Sequence, residues 1–286
     1  KELGANGFLQ QRADQLLGIE LSPNDSIRVR VEEGTAVVYG ATTDNVTQDP
    51  SLQIARRTES VEGELRILPV VGSLEGAHGS FFRTSLQLHN PADVAIEGRL
   101  VFHLSGQSGS ADDPALLYRL APGETVAFDD LLPAMGQEGI GSVDLVSVEG
   151  PLPLSVARIF NDAGEAGTTG MTEEQVALGQ VLAVGEHGLL IAPPNPDQAR
   201  FNIGVRTLGE GAELEIVVRN SSGTVVQEIS RSYEHTFFSQ TSAAVFLGIA
   251  PGPSDVIEIR VTEGSAIVYG ATTDNITQDP SLQMAH

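Results

Sequence analysis

A segment near the start of this chain returns almost unchanged at its end. Residues 27–56 read IRVRVEEGTAVVYGATTDNVTQDPSLQIAR, and residues 257–286 read IEIRVTEGSAIVYGATTDNITQDPSLQMAH. The two strings are identical at 22 of 30 positions, at a constant offset of 230 and without a gap. A repeat of fixed period is typical of a modular array in which each unit is one structural domain. We therefore expect one complete unit of about 230 residues, preceded by only the last part of another.

The partial upstream unit lacks counterparts of three predicted strands of the complete unit, at 201–207, 213–219 and 225–230. Left alone, it would expose unpaired strand edges and apolar side chains, a state that aggregates. We expect strands of a neighbouring chain to complete it, and such a head-to-tail contact propagates as a filament unless it closes into a ring. Two alternatives stay open: the preceding strands belong to another piece of a longer tandem protein, or the fragment packs on its own subunit.

Short alternating or β-branched runs bounded by Gly, Pro, Asn and Asp recur along the whole length, as in an all-β sandwich. The sequence predicts an all-β fold of tandem immunoglobulin-like β-sandwiches with very little helix. Residues 1–60 would be the C-terminal part of a preceding repeat, 64–186 the first β-sandwich and 187–286 the second. Predicted strands include 26–31, 36–39, 256–261 and 266–269. Single helical turns are predicted near 8–17, 129–134 and 240–247.

The pattern HNP…GRLVFH…LAPGETVAFDDLL…GIGSVDL…ARIFND…AGTTG, within residues 64–286, resembles a class of immunoglobulin-like modules of large secreted bacterial tandem-repeat surface proteins. The matching motifs are turns and strand edges. The resemblance therefore implies a fold and a location, and it transfers no catalytic residue.

Charge and composition exclude several classes of partner. The net charge of -22 repels phosphate backbones and anionic lipid, so we expect no nucleic acid and no membrane insertion. The absence of cysteine removes disulfides, thiolate chemistry and Cys-ligated zinc. An acidic, cysteine-free, Gly- and Thr-rich repeat chain fits an extracellular or cell-surface protein. We expect its partners to be copies of itself, as a homo-polymer or as neighbours in a tandem array.

Both repeat copies carry the loop pattern TTDNxTQDP, which concentrates oxygen ligands suited to a hard cation such as calcium. The candidate metal ligands are Asp44, Asn45, Asp49, Asp274, Asn275 and Asp279. The spacing is not that of an EF-hand, and Ca²⁺ needs six or more oxygens. We favour the interpretation that Asp and Asn cap turns through backbone amides. Apart from calcium at these loops, no cofactor is expected.

Catalytic motifs are missing from the sequence: it has no GxSxG, no P-loop, no HExxH and no GxGxxG opening a helix. His89 and His103 would form a metal pair if their strands were neighbours, but ordinary sheet residues are the simpler interpretation. We therefore predict a non-enzymatic structural subunit of an extracellular filament or surface stalk. The alternative is a calcium- or carbohydrate-binding accessory module of a secreted protein. The absence of Trp disfavours carbohydrate binding.

Overall fold

The computed structural model describes residues 2–22, 24–56 and 65–285. The fold is all-β, with 53% strand and 8% helix, and the sheets are antiparallel and form two bodies. The expected fold class is therefore confirmed. Within the described ranges no helix is long and apolar enough to cross a membrane. The expected boundary between the partial repeat and the first sandwich, at residues 60–64, and the last repeat residue, His286, lie outside the described residues.

Residues 2–22 and 24–56 form three elements, helix α1 (Ala13–Leu17) and the antiparallel hairpin of β1 (Tyr39–Thr43) and β2 (Pro50–Ile54). The predicted strand 26–31 is absent, and of the predicted strand 36–39 only Tyr39 is in a strand. These two strand predictions are wrong for this copy of the repeat. An extended segment becomes a strand only when a second strand satisfies its backbone groups. No described part of the chain pairs with residues 26–31.

The first body is a nine-stranded antiparallel arrangement with helix α2 (Leu131–Ala134). Its strands are β3 (Leu65–Glu75), β4 (Phe81–His89), β5 (Ile96–Leu104), β6 (Ala115–Leu120), β7 (Thr125–Phe128), β8 (Gly139–Glu149), β9 (Leu154–Asp162), β10 (Thr168–Glu173) and β11 (Val176–Ala177). The main order is β10-β9-β4-β3-β8-β5-β6. Side chains alternate between buried and partly exposed along β9, as expected for a strand with one face on the core. Leu86 and Ala157 from one half of this arrangement pack against Leu100 and Leu145 from the other.

The second body has seven strands and helix α3 (Ala243–Leu247). Its strands are β12 (Leu182–Ala183), β13 (His187–Ile191), β14 (Ala199–Arg219), β15 (Val225–Tyr233), β16 (Phe238–Ser242), β17 (Val256–Asp274) and β18 (Pro280–Met284). The two long strands β14 and β17 pair from Ala199↔Asp274 to Arg219↔Val256, with irregularities that bend the ladder near Thr207 and Ala212. Helices α1, α2 and α3 fall within the three predicted helical turns.

Apolar side chains join the two bodies. Val70 and Ile159 of the first body share a buried cluster with Phe238 and Tyr269 of the second. Ile67 and Val176 likewise pack with Val181 and Ile267. Both carboxylate oxygens of Asp144 in β8 also accept a hydrogen bond from the same guanidinium nitrogen of Arg206 in β14 (3.1 and 3.0 Å). The contact between the bodies is therefore part of the core of the molecule.

Candidate functional site

The loop between β1 and β2 contains the first set of candidate ligands. Asp44 Oδ1 accepts hydrogen bonds from the amides of Val46 (2.8 Å) and Thr47 (2.9 Å), and the amide of Gln48 donates to the carbonyl of Asp44 (2.9 Å). Gln48 adopts a left-handed conformation with φ 60°. Asp44 thus closes a compact turn by capping its own backbone.

The other side of this loop binds the free edge of β10. Asp44 Oδ2 accepts from the amide (3.2 Å) and hydroxyl (2.9 Å) of Thr168, and Asp49 Oδ2 accepts from the amide of Gly170 (2.7 Å). The hydroxyl of Thr47 donates to the carbonyl of Thr168 (2.6 Å). The hydroxyl of Ser51 donates to the carbonyl of Gly170 (3.1 Å). Side chains of the repeat therefore take the place of a neighbouring strand at this sheet edge.

Arg158 of β9 contacts both the docked hairpin and β10. Its guanidinium donates to the hydroxyls of Ser51 (3.1 Å) and Thr168 (3.2 Å), lies 3.5 Å from Asp49 Oδ2 and stacks 5.1 Å above the ring of Phe160. This one cation contacts both partners of the docking interface, β2 and β10.

The loop of the second repeat copy faces the same strand from another side. The hydroxyl of Thr169 donates to the carbonyl of Thr277 (3.1 Å). Burial raises the pKa of Asp279 to about 6, the negative charges of Asp49 and Asp274 act in the same direction, and Arg158 opposes them. In contrast, hydrogen bonds from the amides of Thr47 and Val46 and from Thr168 hold the pKa of Asp44 well below its usual value. The two copies of TTDNxTQDP are therefore neighbours across β10.

The remaining candidate ligands are also engaged in hydrogen bonds. Asn275 Oδ1 accepts from Arg200 (3.0 Å), and the carbonyl of Asn45 accepts from the side chain of Gln48 (2.9 Å). In the second copy, Asp274 Oδ1 accepts from the amides of Ile276 and Thr277, as its counterpart does in the first. Within residues 2–22, 24–56 and 65–285 no group of three or more His, Cys, Asp or Glu side chains is arranged to hold a metal ion.

A buried polar cluster lies at the junction of the two bodies, and no sequence motif indicates it. His103 Nδ1 lies 2.6 Å from Asp113 and its Nε2 lies 3.0 Å from Asp144, which also binds Arg206. His89, in contrast, contacts Thr125 (2.9 Å) on β7. The strands of His89 and His103, β4 and β5, are not adjacent, so these histidines do not form the pair that neighbouring strands would have allowed.

Glu173, at the end of β10, is another buried ionisable group that the sequence did not indicate. Its Oε1 accepts from the amide of Val70 (2.9 Å), whereas Oε2 has no hydrogen-bond partner in the described part of the chain. Complete burial raises the pKa of Glu173 well above its usual value, and the hydrogen bond from Val70 opposes this only in part. Burial therefore favours the protonated form of this carboxyl.

No protein-family model matches this chain, and no curated protein matches it either. What the protein does is therefore argued from its own geometry.

Proposed function

We propose that the protein is a non-enzymatic structural unit of an extracellular filament or surface stalk, in which a neighbouring repeat unit completes the partial N-terminal repeat. The observation that carries this proposal is a difference in burial between two nearly identical segments. Ile27, Val29 and Val31 expose 51%, 53% and 47% of their surface, whereas their counterparts Ile257, Ile259 and Val261 are fully buried.

The buried copy shows which strand is missing from the exposed one. In the second body Ile257, Ile259 and Val261 pair with Val218, Ile216 and Leu214 of β14. The partial copy would bind a strand of the same pattern. Burying a Val or Ile side chain completely stabilises by about 1.5–3 kcal/mol, so each of these half-exposed residues offers roughly half of that to a partner.

The partial copy has a second exposed face, and the corresponding face of the complete copy packs against the first body. Phe8 and Val37 expose 75% and 81% of their surface, and the equivalent Phe238 and Ile267 are buried. Phe238 packs there with Val70 of the first body, and Ile267 packs with Ile67. One neighbouring unit would cover both faces of the partial copy if it supplied a first body and an unpaired strand of β14 pattern.

The partial copy already has the local geometry of the complete one. Tyr39 donates to Gln10 (3.0 Å) as Tyr269 donates to Gln240 (2.8 Å), and helix α1 corresponds residue by residue to α3. Gly18 and Gly248 end these helices with φ 72° and 73°. Preorganisation of this kind lowers the ordering cost of association.

The donor strand has to be one that is not already paired. If the partial copy displaced β17 from a folded neighbour, it would bury the same surface that it releases, so strand exchange supplies no net driving force. We therefore assign the donor to a neighbouring unit whose strand of β14 pattern lacks its own β17. This is donor-strand complementation, and it builds a linear array of immunoglobulin-like β-sandwich modules.

The test uses a peptide with the sequence of residues 187–233 as the donor. We expect it to bind the natural chain in sedimentation velocity or calorimetry, and Val29→Asp to abolish binding because a charge would enter the new core. Arg30→Gln, at the exposed neighbouring position, should bind nearly like the natural chain, because it removes only an exposed pair with Glu215 of the donor, of the kind that Arg260 makes in the second body. A peptide that does not bind, or that binds the Val29→Asp chain equally well, would rule the proposal out.

A further inference from the structure

The two copies of the 30-residue repeat differ in the sign of one charge. They are identical at 22 of 30 positions, and among the remaining differences only one replaces an anion by a cation: Arg28 stands where the complete copy has Glu258. The charge two residues further on is retained, since Arg30 corresponds to Arg260. The exposed face of the partial strand therefore carries two neighbouring cations, whereas the complete copy has one anion and one cation.

In the complete copy these two positions match the strands on either side. His187 of β13 is directly opposite Arg260 in the ladder, and its Nδ1 reaches diagonally to Oε1 of Glu258 (3.0 Å). On the other side of β17, Nη1 of Arg260 lies 3.6 Å from Oε2 of Glu215 in β14. Each charged side chain of β17 in this region thus has a complementary neighbour.

A strand with the sequence of β13 would not match the partial copy in this way. It would place an imidazole directly opposite Arg30 and diagonal to Arg28. An imidazole, neutral or protonated, offers no negative charge to two guanidinium groups. Opposite charges across neighbouring strands stabilise a sheet, and like charges directly opposite destabilise it. The position of His187 is therefore where this chain's own sequence fits the partial copy poorly.

Both arginines are accessible to a carboxylate on an added strand. The side chain of Arg30 is 84% exposed, and its guanidinium lies 3.8 Å from the equally exposed Glu32. Arg28 is exposed and donates to the carbonyl of Pro91 (3.3 Å), which uses one of its five N–H groups. Within the described part of the chain, no strand pairs with residues 26–31 on either edge.

We propose that the natural donor carries an acidic residue at the position of His187, so that the partner is a related repeat and not a copy of this chain's own residues 187–233. The inference rests on the proposed function and specifies its partner. A carboxylate at this position would lie directly opposite Arg30 and diagonal to Arg28, as His187 lies relative to Arg260 and Glu258. Such a pair selects one donor among several strands of the same apolar pattern.

The test titrates the natural chain with peptides of residues 187–233 in calorimetry. We expect the His187→Glu peptide to bind about three- to tenfold more tightly than the peptide of natural sequence. The chain has a net charge of -22, so an added negative charge on the peptide weakens the long-range attraction, and a gain in affinity has to come from the local contact. A His187→Gln peptide is the control and should bind like the natural peptide.

The chain with Arg28→Glu restores the charge of the complete copy, and we expect it to lose the preference for the His187→Glu peptide. Comparison of two peptides on one chain cancels any effect of this substitution on the contact with Pro91. Equal binding of the two peptides to the natural chain, or an unchanged preference in Arg28→Glu, would overturn this proposal and leave strand completion intact. Binding by neither peptide would overturn strand completion and this proposal with it.

Discussion

At Gly167 the first body and the docked hairpin approach each other closely. A Cβ at this position would lie 2.8 Å from Cβ of Val46 and 2.9 Å from Asp44 Oδ1, and φ is 87°. Gly164, in the same turn, also has positive φ (60°), but a Cβ there meets nothing within 4 Å. Gly167 also has ψ -163°, in a region that almost only glycine adopts, so a side chain there adds backbone strain to the clash.

We predict that Gly167→Ala undocks the hairpin, whereas Gly164→Ala costs only the strain of a left-handed backbone, about 1–2 kcal/mol. Amide exchange at Gly170 measures docking, because its amide is hydrogen-bonded to Asp49. Exchange should become faster in Gly167→Ala and stay slow in Gly164→Ala. Equal exchange in both variants would mean that close contact at Gly167 does not matter for docking.

Glu173 makes the stability of the fold depend on pH, because its pKa in the native state is raised by burial. Below the unfolded-state value, 4.5, the carboxyl is protonated in both states. Above it, the unfolded state ionises while the native state does not, so this group lowers stability by about 1.4 kcal/mol per pH unit up to its native pKa.

We predict that Glu173→Gln removes this dependence and raises the free energy of unfolding at pH 7 relative to the natural chain. Glutamine keeps the acceptor for the amide of Val70 and cannot ionise. Chemical denaturation between pH 4 and 8 measures the effect, and Glu174→Gln, at the exposed neighbouring position, serves as the control. The account of Glu173 fails if the two stability curves remain parallel across this range.

At the scale of elements, the two repeat copies show which parts of the fold are encoded locally. The helix, its left-handed glycine end and the β1–β2 hairpin form in both copies, because their hydrogen bonds join residues close in sequence. Residues 27–31 and 257–261 differ in outcome because only the second segment has β14 as a partner. The same sequence is therefore a core strand in one place and an exposed segment in the other.

We predict that the same substitution has a large cost in one copy and a small cost in the other. Ile257→Ala should lower the free energy of unfolding by about 2–5 kcal/mol, because it removes a fully buried side chain. Ile27→Ala should change it by less than about 0.5 kcal/mol in the isolated chain. Denaturant unfolding of the two variants is the measurement. A large cost for Ile27→Ala would show that this residue is already packed in the isolated chain.

The sequence predicts the features that rest on local contacts and misses those that rest on contacts between distant residues. The all-β class, the short helices and the Asx turn at Asp44 were predictable, since each rests on local pattern. The missing strand at residues 26–31 was not, because pairing depends on a partner far away in sequence. Nor did any pattern indicate that Thr168 and Gly170 form the edge on which the repeat loop docks, or that Arg206 would cross to Asp144. These contacts come from the packing of one body on another.

At the scale of the whole molecule, the Arg206–Asp144 pair connects the two bodies through a fully buried guanidinium. Removing one partner leaves the other charge buried without compensation. We predict that Asp144→Ala lowers the free energy of unfolding by about 3–5 kcal/mol. Glu215→Ala, which breaks the exposed pair with Arg260, should cost at most about 1 kcal/mol in the same denaturation experiment. Similar costs for the two variants would argue against a joining role for the buried pair.

The central claim is that residues 27–31 are an acceptor that lacks its partner strand. At the 230-residue offset Lys1 corresponds to Arg231, so a chain with residues 187–230 added ahead of Lys1 would carry the missing strands in register. The decisive measurement is amide hydrogen exchange at residues 27–31 in the natural and the extended chain, with residues 257–261 as the internal standard. The account predicts rapid exchange in the dilute natural chain and exchange at least about a hundredfold slower in the extended one. Equally rapid exchange in both chains, or exchange in the natural chain as slow as at residues 257–261, would contradict it.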